Sequence, residues 1–156
     1  MFCKDKMSCC VYSSLVFLTN CAFAFSKGHY TYSFAFYTLT LTSLAVHGIY
    51  NGVEALILDK LSIVNIVILG GYYVFSNIQK IAVGEGWCGN APRAPAGCVL
   101  HICSITLTFV IVTWIYYYGY MTNQFCYHSD KAVADVCNSV IHVISSIGHH
   151  LIIASM

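Results

Sequence analysis

Apolar residues run in long blocks along this chain, and the polar positions inside those blocks recur at helical spacing. A helix that crosses a bilayer takes about 20 predominantly apolar residues. Five stretches meet that need: 7–25, 30–58, 61–78, 97–120 and 132–155. Only Asp59 and Lys60 separate the second from the third, which predicts a tight antiparallel hairpin turning at that pair. Residues 79–96 hold Gly84, Gly86, Gly89 and both prolines, Pro92 and Pro95, and form the one long loop.

Inside the second stretch, Thr40, Ser43, His47, Asn51 and Glu54 are spaced three, four, four and three. Positions three, four and seven apart share a helix face, so these five make a stripe about 21 Å long. The last stretch repeats the arrangement with Asp135, Asn138, His142, Ser145 or Ser146, and His149; His150 falls off that face, toward the interface. His101, Ser104 and Thr108 make a shorter version in the fourth. Polar groups in hydrocarbon are costly unless partnered. The stripes must therefore turn toward one another, toward a bound group or toward water. The fold class that follows is all-α: a polytopic transmembrane helical bundle of four to five spans with a polar seam, one membrane domain over residues 1–156. The count of four to five reflects the first stretch. MFCKDKM followed by Ala22-Phe23-Ala24 has the layout of a secretory signal, and we read it as a retained span.

Composition agrees. Hydrophobic residues are 58% of the 156 and charged residues 8%, too little charge to cover a globule in water. The formal charge of +1 carries no footprint for nucleic acid. Lys4, Lys6, Lys60 and Lys131 on one side face Lys27, Lys80 and Arg93 on the other, a balance that selects no orientation. Trp114, Tyr116, Tyr117, Tyr118 and Tyr120 form an interfacial belt closing the fourth span.

Nine cysteines and seven histidines invite a search for metal or redox motifs. No Cys-x-x-Cys pair or zinc spacing is present. Cys9, Cys10, Cys21, Cys103 and Cys137 fall in apolar runs and act as small hydrophobes. Cys88 and Cys98 bracket the loop and pair if it faces an oxidising compartment. GEGWCG matches G-x-G-x-x-G by accident, since no strand precedes it and two prolines follow.

The stripes have a plain interpretation as hydrogen-bonding glue between helices, with Gly48 and Gly52 letting a neighbour approach. The sharper one is a cofactor. Intramembrane histidines on different helices ligate b-type haem iron, with a polar shell fixing their tautomers. His47, beside Gly48, is the first candidate ligand, His142 its partner, and His101 the second choice; His149 suits a proton or propionate contact.

HGIYNGVEALILD resembles the helix of succinate dehydrogenase (respiratory complex II) membrane-anchor subunits that carries a histidine, then Asn-Gly, then an aspartate at its end. The resemblance covers about a tenth of the chain. It implies a haem ligand at His47, Asn51-Gly52 as the family's Asn-Gly, and Asp59 near a quinone. It also implies ubiquinone or haem b as cofactor, other membrane subunits and lipid as partners, and the mitochondrial inner membrane as location. The histidine stands one residue farther from Asn-Gly than in that family, and Glu54 and Ala55 replace its arginine and second histidine. The function expected is a non-catalytic subunit of a multi-subunit oxidoreductase. Against it stand an accessory structural subunit without cofactor, and a small proton or ion transporter using His47, Asn51 and Glu54. A membrane hydrolase built on His128, Asp130 and Asp135 is the weakest alternative, because that cluster reads as a loop and helix cap.

Overall fold

The computed structural model describes residues 9–49, 52–83 and 96–156. Six α-helices and no strand occur among them: α1 (Cys9–Ser14), α2 (Val16–Ser26), α3 (Tyr30–Leu44), α4 (Val53–Ala82), α5 (Ala96–Thr122) and α6 (Lys131–Ala154). A π-helical turn, Ala45–Ile49, extends α3, and a 3₁₀ turn, Phe125–Tyr127, joins α5 to α6. Among the described residues, three stretches are long and apolar enough to cross a membrane, Cys9–Ser26, Gly97–Tyr127 and Lys131–Ala154. The chain is an all-α helical bundle and an integral membrane protein.

Local chemistry explains the joints. Ser13 and Ser14 both turn their hydroxyls back onto the Cys10 carbonyl, at 3.1 and 2.6 Å. Such back-bonding competes with the helix ladder, and the ladder tightens at Leu15, whose N–H donates to the Tyr12 carbonyl. α2 ends at Gly28, where φ is +80°. The His29 N–H reaches the Ala24 carbonyl and the Gly28 N–H the Phe25 carbonyl, at 2.9 and 3.0 Å. That pair of bonds is a Schellman stop, and it needs a residue tolerant of the left-handed region. At α6, the Asp130 carboxylate accepts from the Ala132 N–H at 2.8 Å, supplying the N-cap.

One joint lies away from its expected place. The hairpin does not turn at Asp59-Lys60; both residues lie inside α4, and the expected span 30–58 is two elements. The π-helical turn ends at Ile49, and α4 opens after Gly52, its N-cap residue. Gly52 takes extended backbone ahead of α4, at φ −81° and ψ 152°, whereas the charged pair is accommodated inside the helix. The five-residue stripe is consequently interrupted. Thr40, Ser43 and His47 belong to one element, Glu54 opens the next, and Asn51 lies outside the described residues.

The helices run alternately up and down. α1, the π-helical turn, the start of α4, the end of α5 and the start of α6 gather at one end, where the Cys10 thiol meets the Asp135 carbonyl and the Lys60 ammonium donates to the Tyr116 hydroxyl. At the opposite end, Asn77 donates to Ser155, and the Nε2–H of His101 to the Leu151 carbonyl. The core is built from Phe17, Ala24, Tyr32, Phe36, Leu39, Ile66, Ile105, Ile152 and Ile153. α2 packs along α3, α3 along α4, α5 along α6, and α1 and α2 both on α6. α4 and α5 are held apart.

The polar seam is present, and it runs through α1 and α2 as well. The Ser14 and Ser43 hydroxyls are hydrogen-bonded at 3.0 Å, both fully buried. Buried Asn20 donates to the Ser146 carbonyl at 2.9 Å and sits 2.8 Å from His150 Nδ1, while the Ser146 hydroxyl returns a bond to Asn20 Oδ1. His150 therefore does not reach toward the interface; it stacks on Phe23 within the bundle. Cys98 is disulfide-bonded, as is Cys9; Cys88, the expected partner of Cys98, lies outside the described residues.

Candidate functional site

α6 carries the chemistry because its Asn138, His142, Ser145 and His149 share one face, which looks onto α3, α4 and α5. His47 enters from the π-helical turn, where one residue more per turn shifts the ring from its α-helical position. His47 and His142 come together as the stripes imply, with ring centroids 5.7 Å apart and planes inclined at 63°. The Ser13 hydroxyl is 2.9 Å from His142 Nδ1, and Phe17 packs on the same ring at 5.3 Å. Asp59, 4% exposed, accepts from Thr42 at 3.4 Å. Its carboxylate, with that of Asp135 and the ammonium groups of Lys60 and Lys131, forms the charged surroundings of His47.

His101 is not part of this centre. It is bonded to Leu151 at the far end of the bundle. His128 and Asp130 are the loop and cap that their spacing suggests, the Asp130 N–H donating to His128 Nδ1 at 2.9 Å.

Bis-imidazole haem requires two ring nitrogens facing each other across a flat macrocycle. His47 and His142 pack on each other with ring centroids 5.7 Å apart. They belong to no larger donor set: among the described residues, no three His, Cys, Asp or Glu side chains are placed to hold a metal ion.

What the bundle does hold is a cleft of about 1160 Å³ between α4 and α5, open on one side. Ile63, Ile66, Val67 and Val74 of α4 and Ile105, Phe109, Val110 and Trp114 of α5 make its apolar walls. Asn138, His142, Ser145 and His149 of α6 line its floor, and Lys60, Tyr116 and Tyr127 one end. Ligand pockets of this kind are mostly apolar with a few convergent polar groups. His149 is the group in the floor that sequence spacing assigned a lesser part. It is 3% exposed, ringed by Phe36 and Phe109, and bonded through Nδ1 to the Tyr32 hydroxyl at 2.5 Å.

Two participants, Ser13 and Tyr32, have a weak signature in the sequence. Ser13 and Asn20 stand seven apart in the first apolar stretch and so share a face. Tyr32 is hidden among the tyrosines and phenylalanines of α3, where nothing but packing singles it out. The chain matches no protein-family model, no curated protein and no solved structure.

Proposed function

We propose that the protein is the membrane-embedded, non-catalytic subunit of an electron-transfer complex and holds a quinone in the cleft between α4 and α5. The cleft carries this reading. Its apolar walls suit an isoprenoid tail drawn from the bilayer, and its floor offers imidazole, amide and hydroxyl groups to the oxygens of a quinone ring. The resemblance of the His47 to Asp59 segment to complex II anchors names ubiquinone and the mitochondrial inner membrane for the same role. Electrons come from a partner subunit's redox centre, since the chain has neither the cysteine pattern of an iron–sulfur protein nor a nucleotide-binding motif. The chain's part is to position the ring.

The test is purification in mild detergent, organic extraction, and identification of the extract by chromatography and mass spectrometry. A quinone at near one per chain, lost in His142→Leu, is the expected result. A well-folded protein that extracts with bulk phospholipid alone contradicts it.

A second reading has its own observation. Val110, Trp114 and Tyr117 are exposed along α5, and a partner's transmembrane helix laid between α4 and α5 would cover them. On that reading the chain is a structural subunit, and the cleft fills with protein on assembly.

A further inference from the structure

The cleft carries formal charge at one place. Among the described residues that line it, Lys60 is the one charged side chain, with Tyr116 and Tyr127 beside it. The ammonium donates to the Tyr116 hydroxyl at 2.8 Å and lies 5.2 Å from the centre of that ring. Tyr127 packs edge-on against Tyr116, with centroids 5.6 Å apart, and against Tyr120 at 5.5 Å. Lys60 is therefore held at the end of the cleft rather than trailing along the bilayer surface. Its neighbour Asp59 is buried, accepts from Thr42 of α3 and is not part of the cleft wall.

We infer that this end seats the phosphate of an anionic phospholipid, whose acyl chains lie along the open side of the cleft between α4 and α5. The inference goes beyond the quinone reading and does not rest on it. The seat is the Lys60 end, whereas the polar contacts offered to a quinone lie on the α6 floor.

Hydrogen-bond chemistry selects an anion. An ammonium has three hydrogens and no lone pair, so the Tyr116 oxygen must accept. Among the described residues, Lys60 makes no other hydrogen bond, and the Tyr116 hydroxyl donates to none. Two ammonium hydrogens and one phenol hydrogen remain for a ligand. A phosphate meets them with acceptor oxygens and a negative charge, and hydrogen bonds between charged partners are the strong ones. A zwitterionic lipid brings its own ammonium beside Lys60 and forfeits that gain.

Position selects a lipid. Trp114, Tyr116, Tyr117 and Tyr120 line this part of the cleft, and aromatic belts of that composition sit at headgroup level. From Lys60 to Gly70, α4 runs about 15 Å. That is the depth of one leaflet, half of a hydrocarbon core about 30 Å thick. Over that depth Ile63, Ile66 and Val67 keep the wall apolar. A phosphate at Lys60 thus has its acyl chains against hydrocarbon for their whole length.

The experiment uses the full chain in phosphatidylcholine nanodiscs, in a Trp87→Phe background so that Trp114, in the cleft wall, is the only tryptophan. The lipid is replaced stepwise by brominated phosphatidylglycerol or, separately, by brominated phosphatidylcholine, whose bromines quench the indole. Half-maximal quenching should need about fivefold less of the anionic lipid, the weight of one lysine charge at a membrane surface. Lys60→Gln should abolish that preference and Lys60→Arg keep it. Lys131→Gln removes a charge at the same end but outside the cleft wall, and should leave the preference intact. Equal quenching by the two lipids overturns the seat. Equal losses from Lys60→Gln and Lys131→Gln overturn it too, because surface potential then accounts for the preference. A brominated fatty acid that displaces phosphatidylglycerol at equal mole fraction assigns the end to a carboxylate and overturns the phospholipid. Should Lys60→Gln fail to fold, Tyr116→Phe removes the oxygen that holds the ammonium, and an unchanged preference there overturns the seat. Quinone content, read by extraction, is independent of all these outcomes.

Discussion

At the scale of single residues, this bundle spends its polar side chains on one another. Asn20 is the clearest case, since it bonds both the carbonyl and the hydroxyl of Ser146 and lies beside His150 Nδ1, whose ring stacks on Phe23. Asn20→Leu replaces a hydrogen-bonding amide by an apolar group and leaves the Ser146 hydroxyl with only its 3.4 Å contact to His150 Nδ1. A buried polar group left unpaired costs about 1–3 kcal/mol. Thermal unfolding in detergent should show a loss of that size, and an unchanged midpoint would mean that the network contributes nothing. His47 and His142 make a spectroscopic statement as well. Their rings pack on each other at 5.7 Å between centroids, and protein purified in mild detergent should have no Soret band. A Soret band abolished by His47→Ala would mean that the two rings part to admit haem.

At the scale of elements, the test of where the hairpin turns is a proline. Lys60→Pro would be harmless in a turn between two spans. Inside α4 it removes a ladder bond and clashes with the preceding turn, at about 3 kcal/mol or more. Val53→Pro occupies the first helical position, where the ring is pre-shaped for the helix, and should change the unfolding midpoint little. The reverse ranking would restore the turn to Asp59-Lys60. Gly28→Ala isolates a different device. Nothing lies within 4 Å of the added Cβ, so its cost of about 1 kcal/mol is backbone strain at φ +80° alone. These joints separate what could be read in advance from what could not. Helix faces were legible, because a period of 3.6 shows in the polar residues of α6 from Asp135 to His149. The break before Gly52 was obscured by apolar neighbours that extend a hydrophobic stretch without regard to backbone turns. Asp59 was misplaced for the same reason: charge marks the end of an apolar run, not the end of a helix.

At the scale of the whole molecule, the decisive feature is a gap. Periodicity brought the imidazoles of α3 and α6 to one centre, and the bundle bears that out. It could not show that α4 and α5 stand apart, because both expose large apolar side chains that either contact or lipid would satisfy. The cleft depends on how the helices pack, which no local pattern records, and so Tyr32, Ser13 and His149 took on their places only with the fold. Labelling by a photoactivatable azido-ubiquinone, followed by peptide mapping of the cross-link, tests the account most directly. Cross-links confined to α4, α5 and the Asn138–His149 face of α6, and competed away by unlabelled quinol, are the expected result. Labelling spread over the outer faces of α2 and α3, undiminished by competitor, would contradict it.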